Sequence, residues 1–175
     1  EVWASGQLTN QGALALRLEA ALDHTLGAQG TLLAGNGTIA IQLAIKALGL
    51  TGEVITTPYS YAATTTSLIW EGLTPVFADI DPLTFCLDPA RIEERITTRT
   101  SAILATHVYG IPCDVEAIEA IAHAHRLKVI YDAAHGYGTT YKGRGLATYG
   151  DVSTLSFHAT KLFHTAEGGA MVAGD

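Results

Sequence analysis

The stretch SAILATHVYGIPCDVEAIEAIAHAHRLKVIYD, residues 101–132, decides the fold. Ser101–Thr106 is apolar and reads as a strand. Asp114–His125 has the spacing of an amphipathic helix, and Lys128–Asp132 is a second apolar run closed by an acid. A strand, a helix and a second strand in close succession form a crossover unit, whose two strands lie parallel.

The same alternation continues on both sides. Upstream, Gly12–Leu26 reads as a helix and Thr31–Ala34 as a strand ending at Gly35-Asn36-Gly37. Thr38–Leu50 is so apolar that it predicts a buried helix. Glu53–Thr57 is a strand stopped by Pro58, Ala62–Trp70 a short helix, Thr74–Asp79 a strand, and Pro89–Ile96 a helical segment behind an Asp88 cap. Downstream, Val152–Ser156 and Gly169–Ala173 read as strands. Strands written as unbroken Val/Ile/Leu runs belong to a parallel sheet covered on both faces. The expectation is an α/β fold of three layers around a mostly parallel central sheet, as one domain over residues 1–175.

Composition narrows the function classes. The 175 residues are 48% hydrophobic, too apolar for a disordered chain. No apolar run reaches the roughly 18 residues of a membrane span, and no basic segment precedes a short apolar one as in a signal peptide. Ten Lys and Arg against 17 Asp and Glu, a net charge of −7, argue against nucleic acid as the main partner. Two cysteines, Cys86 and Cys113, are too few for a disulfide framework and fit a reducing cytoplasm. The chain opens on Glu1 and stops just after a strand, so it reads as a piece of a longer protein.

In open parallel sheets, ligands bind beyond the carboxyl ends of the strands. That rule singles out Asn36-Gly37-Thr38, Tyr59-Ser60-Tyr61, His107, Asp132 with His135, and Ser156 with Lys161. Gly35–Thr38 opens a helix, where free N–H groups and the helix dipole favour a phosphate; an ordinary tight turn with a threonine cap reads equally well. Asp132 ends a buried strand and must find a cation, a metal or donors, or else act as the N-cap of a helix that follows. Of the four lysines, Lys46, Lys128, Lys142 and Lys161, only the last follows a strand towards that edge. Taken alone, it is either a surface lysine or a nucleophile for a carbonyl.

Together these parts match the needs of pyridoxal phosphate: a lysine for its aldehyde, an acid for its ring nitrogen, donors for its phosphate, and a flat group for its ring. Lys161, Asp132, Gly37-Thr38 with Ser156, and Tyr61 supply that set. No metal site is expected. His123 and His125 stand two apart on a helix and do not face each other, and Cys113 and His107 lack partners at ligand spacing.

Six segments carry a resemblance: NGTIAIQLAIKALGL (36–50), EVITTPYSYAATTTSLIW (53–70), TPVFADIDPLTFCLDPARIEERIT (74–97), ATHVYGIPCDVEAI (105–118), VIYDAAH (129–135) and SFHATKLFHTAEGG (156–169). In this order the chain resembles the DegT/StrS family of pyridoxal phosphate-dependent sugar aminotransferases from about Ser5 to its last residue. The resemblance implies the large domain of the aspartate-aminotransferase type (fold type I), with the small C-terminal domain absent from this chain. It also implies that Lys161 bonds the cofactor and shuttles the proton, and that Asp132 pairs with the pyridinium nitrogen. Ser156 with the Gly37 and Thr38 backbone would hold the phosphate, Tyr61 would stack on the ring, and His135 would stand near the ring hydroxyl. Tyr131 precedes the aspartate where the family usually has Glu. A branch with His at the lysine position carries out dehydration, and Lys161 argues against that branch.

By the same resemblance, the activity is amino transfer from an amino acid, glutamate, to a keto group of a nucleotide-activated sugar, by a homodimer with the site near the two-fold axis. A dehydratase, a cyclitol or amino-sugar transaminase, and a domain that keeps the fold without turnover are the alternatives. His158 and Glu167 flank the lysine, where either a substrate contact or a turn role fits them.

Overall fold

The computed structural model describes residues 2–7 and 11–174. Glu1, Leu8, Thr9, Asn10 and Asp175, which the single-domain reading over 1–175 includes, lie outside the described residues. In chain order the first elements are α1 (Val2–Ser5), α2 (Ala13–Leu26), β1 (Thr31–Ala34), α3 (Gly37–Ala47), β2 (Glu53–Thr56), α4 (Ala62–Trp70) and β3 (Thr74–Phe77). They are followed by β4 (Thr100–Thr106), α5 (Val115–His125), β5 (Lys128–Asp132), β6 (Thr140–Tyr141), β7 (Arg144–Gly145), β8 (Val152–Ser156) and β9 (Gly169–Ala173).

Alternation along the strands sets the layers. Val54, Ala102, Leu104 and Ile130 face one side and pack with Ile41, Ala44 and Ile45 of α3 and Leu68 of α4. Ile55, Ile103, Ala105, Val129 and Tyr131 face the other and pack with Val115, Ile118 and Ala122 of α5. A third cluster joins Leu22 and Leu26 of α2 to Leu155, Ala170 and Val172. Strands buried on both faces thus explain the apolar runs, and the chain is α/β with three layers.

The strand order is β1-β9-β8-β5-β4-β2-β3. β2 pairs in parallel with β3 and β4, β4 with β5, and β5 with β8. β9 alone runs against its neighbours, between β1 and β8. The sheet is therefore mostly parallel, not wholly so. The segment from β8 to β9 contains no helix among its described residues, whereas parallel crossovers usually run through one. β3 carries Pro75 at the sheet margin, where a missing N–H costs no ladder bond.

Two local expectations change. Pro89–Ile96 forms two short 3-10 turns, Pro89–Arg91 and Glu93–Arg95, with the Asp88 carboxylate accepting from Ala90 N. The third helix begins at Gly37 and buries one face only, leaving Ile39 exposed.

His107 is displaced from the expected site by the same alternation. Thr106 and Asp132 sit opposite each other in register and face the carboxyl-end cavity. Their chain neighbours His107 and Tyr131 turn the other way and stack, ring centroids 4.5 Å apart. His107 is fully buried; its Nδ1 accepts from Cys113 N at 3.1 Å, so the ring proton is on Nε2. Burial lowers its pKa from 6.5 to about 3. An unfolded histidine takes up a proton near pH 6.5 that the folded chain refuses until about 3. Stability from this residue is thus complete above pH 6.5 and lost as pH falls towards about 3. Its contribution to the slope is at most about 1.4 kcal/mol per pH unit. Urea unfolding between pH 7 and 4 should show that slope, and His107→Gln should flatten it. An equal slope in both proteins would refute the assignment.

Candidate active site

Strands β1, β2, β4, β5 and β8 all end at one edge of the sheet, and a cavity of about 530 Å³ lies beyond it. Gly37, Thr38, Tyr61, Asp132, His135, Ser156 and Lys161 all line it. The tertiary structure brings together every residue that the sequence proposed for the cofactor. His107 and Tyr59 are the exceptions among the wider set of strand-end residues: His107 turns to the core, and Tyr59 walls a neighbouring hollow.

One wall is the start of α3, whose unpaired N–H groups form a cradle that could hold an anion. Asn36, not Thr38, is the N-cap: its side chain accepts from Ile39 N at 2.9 Å. The N–H groups of Gly37 and Thr38 precede the first intrahelical donor and are left for an external acceptor. A Cβ on Gly37 would lie 2.9 Å from Ser156 Cβ and 3.3 Å from its Oγ, so glycine is what lets the Ser156 hydroxyl close on the helix start. Gly169 completes the arrangement. It pairs with Ala34 on one side and Ser156 on the other, and a Cβ there would strike the Asn36 carbonyl at 2.5 Å. The reversed strand β9 thereby seats the β1 loop against the end of β8.

Opposite this wall, Asp132 is 6% exposed. Its Oδ1 accepts from Ala134 N at 3.1 Å and its Oδ2 from Thr64 Oγ1 at 2.7 Å. No helix follows directly among the described residues for Asp132 to cap; its carboxylate caps a turn instead while being buried, and it lines the cavity. His135 Nδ1 accepts from Tyr109 N at 3.3 Å, which leaves Nε2–H as the donor of a neutral ring. Burial lowers the His135 pKa below the ordinary 6.5; the Lys161 charge adds to this and Asp132 opposes it.

Lys161 is half-buried on the loop between β8 and β9. Phe163 pins that loop, stacked on Tyr137 at 4.6 Å and edge-on to Phe157 at 5.1 Å. His158 Nδ1 bonds Thr160 Oγ1 at 2.8 Å while Nε2 stands 3.5 Å from Glu167 Oε1, and both residues line the cavity. The turn role is thus present in this pair, and both side chains face the same cavity as Lys161. Among the described residues, no described carboxylate forms an ion pair with Lys161. The other lysines are engaged elsewhere: Lys46 with Glu71, Lys128 with Asp151, and Lys142 with Glu116.

Tyr61 stands at the rim, 82% exposed. Beside it a second hollow of about 260 Å³ shares Ser60, Tyr61, Thr106 and His135 with the first and is walled by Tyr59 and Tyr109. Those two tyrosines meet through their hydroxyls at 3.0 Å. Thr64 and Thr106 were not singled out from the sequence. Thr64 carries a signal in retrospect, because it lies in the run Thr64-Thr65-Thr66 inside a helix, where β-branched hydroxyl residues are poor formers. Among the described residues, no group of three or more His, Cys, Asp or Glu could hold a metal ion. No helix there is long and apolar enough to cross a membrane.

A lysine on the β8–β9 loop, a buried aspartate ending β5 and an anion cradle at α3, set on this sheet, define the large domain of the aspartate-aminotransferase type. The chain belongs to the DegT/DnrJ/EryC1/StrS aminotransferase family, whose model matches residues 1–175. It is 53% identical over 171 residues to dTDP-4-amino-4,6-dideoxy-D-glucose transaminase of Shigella dysenteriae, covering 98% of this chain and 47% of that protein. Its fold superposes on crystal structures of DesI in the presence of its TDP-sugar product (TM-score 0.96, 41% identity, 99% of this chain and 44% of that one). It matches NtdA from Bacillus subtilis with bound PMP at TM-score 0.90 and 38% identity, over 99% of this chain and 39% of that one. The chain spans about half the length of the curated relatives it matches.

Proposed function

We propose that this chain is the cofactor-binding part of a pyridoxal phosphate-dependent aminotransferase. The enzyme would move an amino group from an amino acid, glutamate, to the keto group of a nucleotide-activated deoxysugar. The observation that carries this reading is the shared cavity: an amine, a buried carboxylate and an anion cradle face one space. The cradle fits a phosphate because Gly37 leaves room that any side chain would take. When bound, the cofactor supplies an electron sink for the carbon that loses its proton.

The chain's own residues then have separate tasks. Gly37 N–H, Thr38 N–H and Ser156 Oγ would hold the phosphate, and Tyr61 would cover the ring face. Asp132 would accept from the ring nitrogen and stabilise its proton, an electrostatic task without proton transfer. His135 Nε2–H would donate towards the ring hydroxyl. Lys161 Nζ would hold the cofactor at its aldehyde end and would take and return the proton at the substrate's reacting carbon. The names of the 53% identical relative and of DesI support a nucleotide-linked sugar as acceptor.

The working unit is a cytoplasmic homodimer. Its support is the exposed apolar surface around the rim, where Tyr61 and Leu162 are 82% and 89% exposed. Light scattering on the full-length protein should give twice the chain mass at micromolar concentration, and a fully active monomer would refute the shared-site arrangement. The activity itself is tested with ¹⁵N-glutamate and the 4-keto counterpart of dTDP-4-amino-4,6-dideoxy-D-glucose. Label should appear in the amino sugar. A yellow, cofactor-loaded protein that transfers no label to any keto sugar nucleotide would overturn the substrate assignment.

A further inference from the structure

Four oxygens join Asp132 to the second hollow. Thr106 Oγ1 lies 3.0 Å from Ser60 Oγ, Ser60 Oγ 2.6 Å from Thr64 Oγ1, and Thr64 Oγ1 2.7 Å from Asp132 Oδ2. Distances alone leave the first two donors undetermined, but the carboxylate at the end removes the ambiguity. Asp132 can only accept, so Thr64 spends its single proton there. Thr64 can then only accept from Ser60, and Ser60 in turn only from Thr106. Every O–H dipole consequently points its positive end towards Asp132, and hydrogen bonds aligned in one direction polarise one another.

Burial keeps the relay in this state. Thr64 is fully buried, Thr106 is 7% exposed, and Asp132 is 6% exposed. Each member comes from a different place in the sequence: Thr106 from the last position of β4, Ser60 from the loop before α4, and Thr64 from inside α4. A hydroxyl within a helix usually returns to its own backbone, as Thr66 Oγ1 does to Ala62 O at 2.9 Å. Thr64 instead points at the acid.

We infer that Thr64, Ser60 and Thr106 are positioning residues that act through Asp132. They hold its carboxylate in one orientation and stabilise its charge, so that a lone pair stays presented to the cavity. Because Ser60 and Thr106 also line the second hollow, the relay connects what occupies that hollow to the proton held at the cofactor ring nitrogen. The inference rests on pyridoxal phosphate binding beside Asp132.

The test uses the full-length protein carrying Thr64→Val, Thr64→Ser and Ser60→Ala. Valine keeps the shape of threonine and removes only the donor. Thr64→Val should weaken pyridoxal phosphate binding, read by fluorescence quenching of the cofactor-free protein, on the order of tenfold, as expected for losing a bond to a charged group. It should lower kcat with KM for the sugar nucleotide unchanged, and shift the pH at which the bound cofactor's visible absorbance changes. Thr64→Ser should restore all three. Ser60→Ala, at a partly buried position, should show a smaller change in the same direction. Failure of the unaltered protein to bind pyridoxal phosphate would overturn the cofactor reading and the relay with it. A protein that binds the cofactor normally while Thr64→Val matches it, or while Thr64→Ser is as impaired as valine, would overturn the relay alone. An unchanged Ser60→Ala would do the same.

Discussion

Lys161→Ala should abolish amino transfer while leaving the fold intact. On the proposed reading, the reaction needs a nucleophilic amine at the cofactor's aldehyde and a base at the substrate's reacting carbon, and one side chain would serve both tasks. The other three lysines are tied to Glu71, Asp151 and Glu116, so none is free to substitute. The loop's position depends on Phe163, wedged between Tyr137 and Phe157, rather than on Lys161 itself. Unfolding free energy should therefore change by no more than about 0.5 kcal/mol, as for surface substitutions. Three readings check this on the full-length protein: a rate down by several orders of magnitude, loss of the visible band that borohydride bleaches, and partial recovery with added methylamine. Wild-type turnover would disprove the role of Lys161.

Asp132→Asn is the second large effect. The amide has the same shape but replaces one acceptor oxygen by an N–H₂ donor. Whichever way it turns, that donor meets an N–H or O–H already aimed at the position: Ala134 N on one side, Thr64 Oγ1 or the ring N–H on the other. The ring proton then has no anionic partner. The cofactor should still bind, since its phosphate end is held elsewhere, but kcat should fall by about two orders of magnitude or more, as on removing a preorganised charge partner. Steady-state kinetics with a parallel measurement of bound cofactor separates the two effects. An unchanged kcat would rule out the pairing with Asp132.

The effect of the same site on pH follows from His135. Its pKa lies below the ordinary value, mainly through burial, so it stays a neutral donor at pH 7 and is protonated only on further acidification. His107, on the opposite face and fully buried, is lowered to about 3 by burial alone. Two histidines at strand ends, similar in sequence position, thus differ in use because one faces the cavity and the other the core.

Much was legible in the chain itself. Apolar runs of strand length separated by helical periods can be buried only in a sheet covered on both faces, and this holds for any sequence with that pattern. The carboxyl-end rule then points to Gly37, Thr38, Asp132, Ser156 and Lys161 from sequence, because the ends of co-directed strands must share one edge. The relay and the reversal of β9 were not legible. Strand direction depends on which strands pair, and the run Gly169–Ala173 is apolar whichever way it points.

Face was equally hidden at the strand ends. His107 follows Thr106 by one residue, and only the register with Asp132 decides that Thr106 faces the cavity while His107 stacks on Tyr131. Thr64, 68 residues before Asp132, meets it only because α4 packs over the sheet, at 2.7 Å. Local chemistry thus determined which residue types could bind an anion, an amine or a ring. The pairing of distant segments decided which of them share one space, since a hydrogen bond depends on sub-ångström distances that no spacing along the chain encodes.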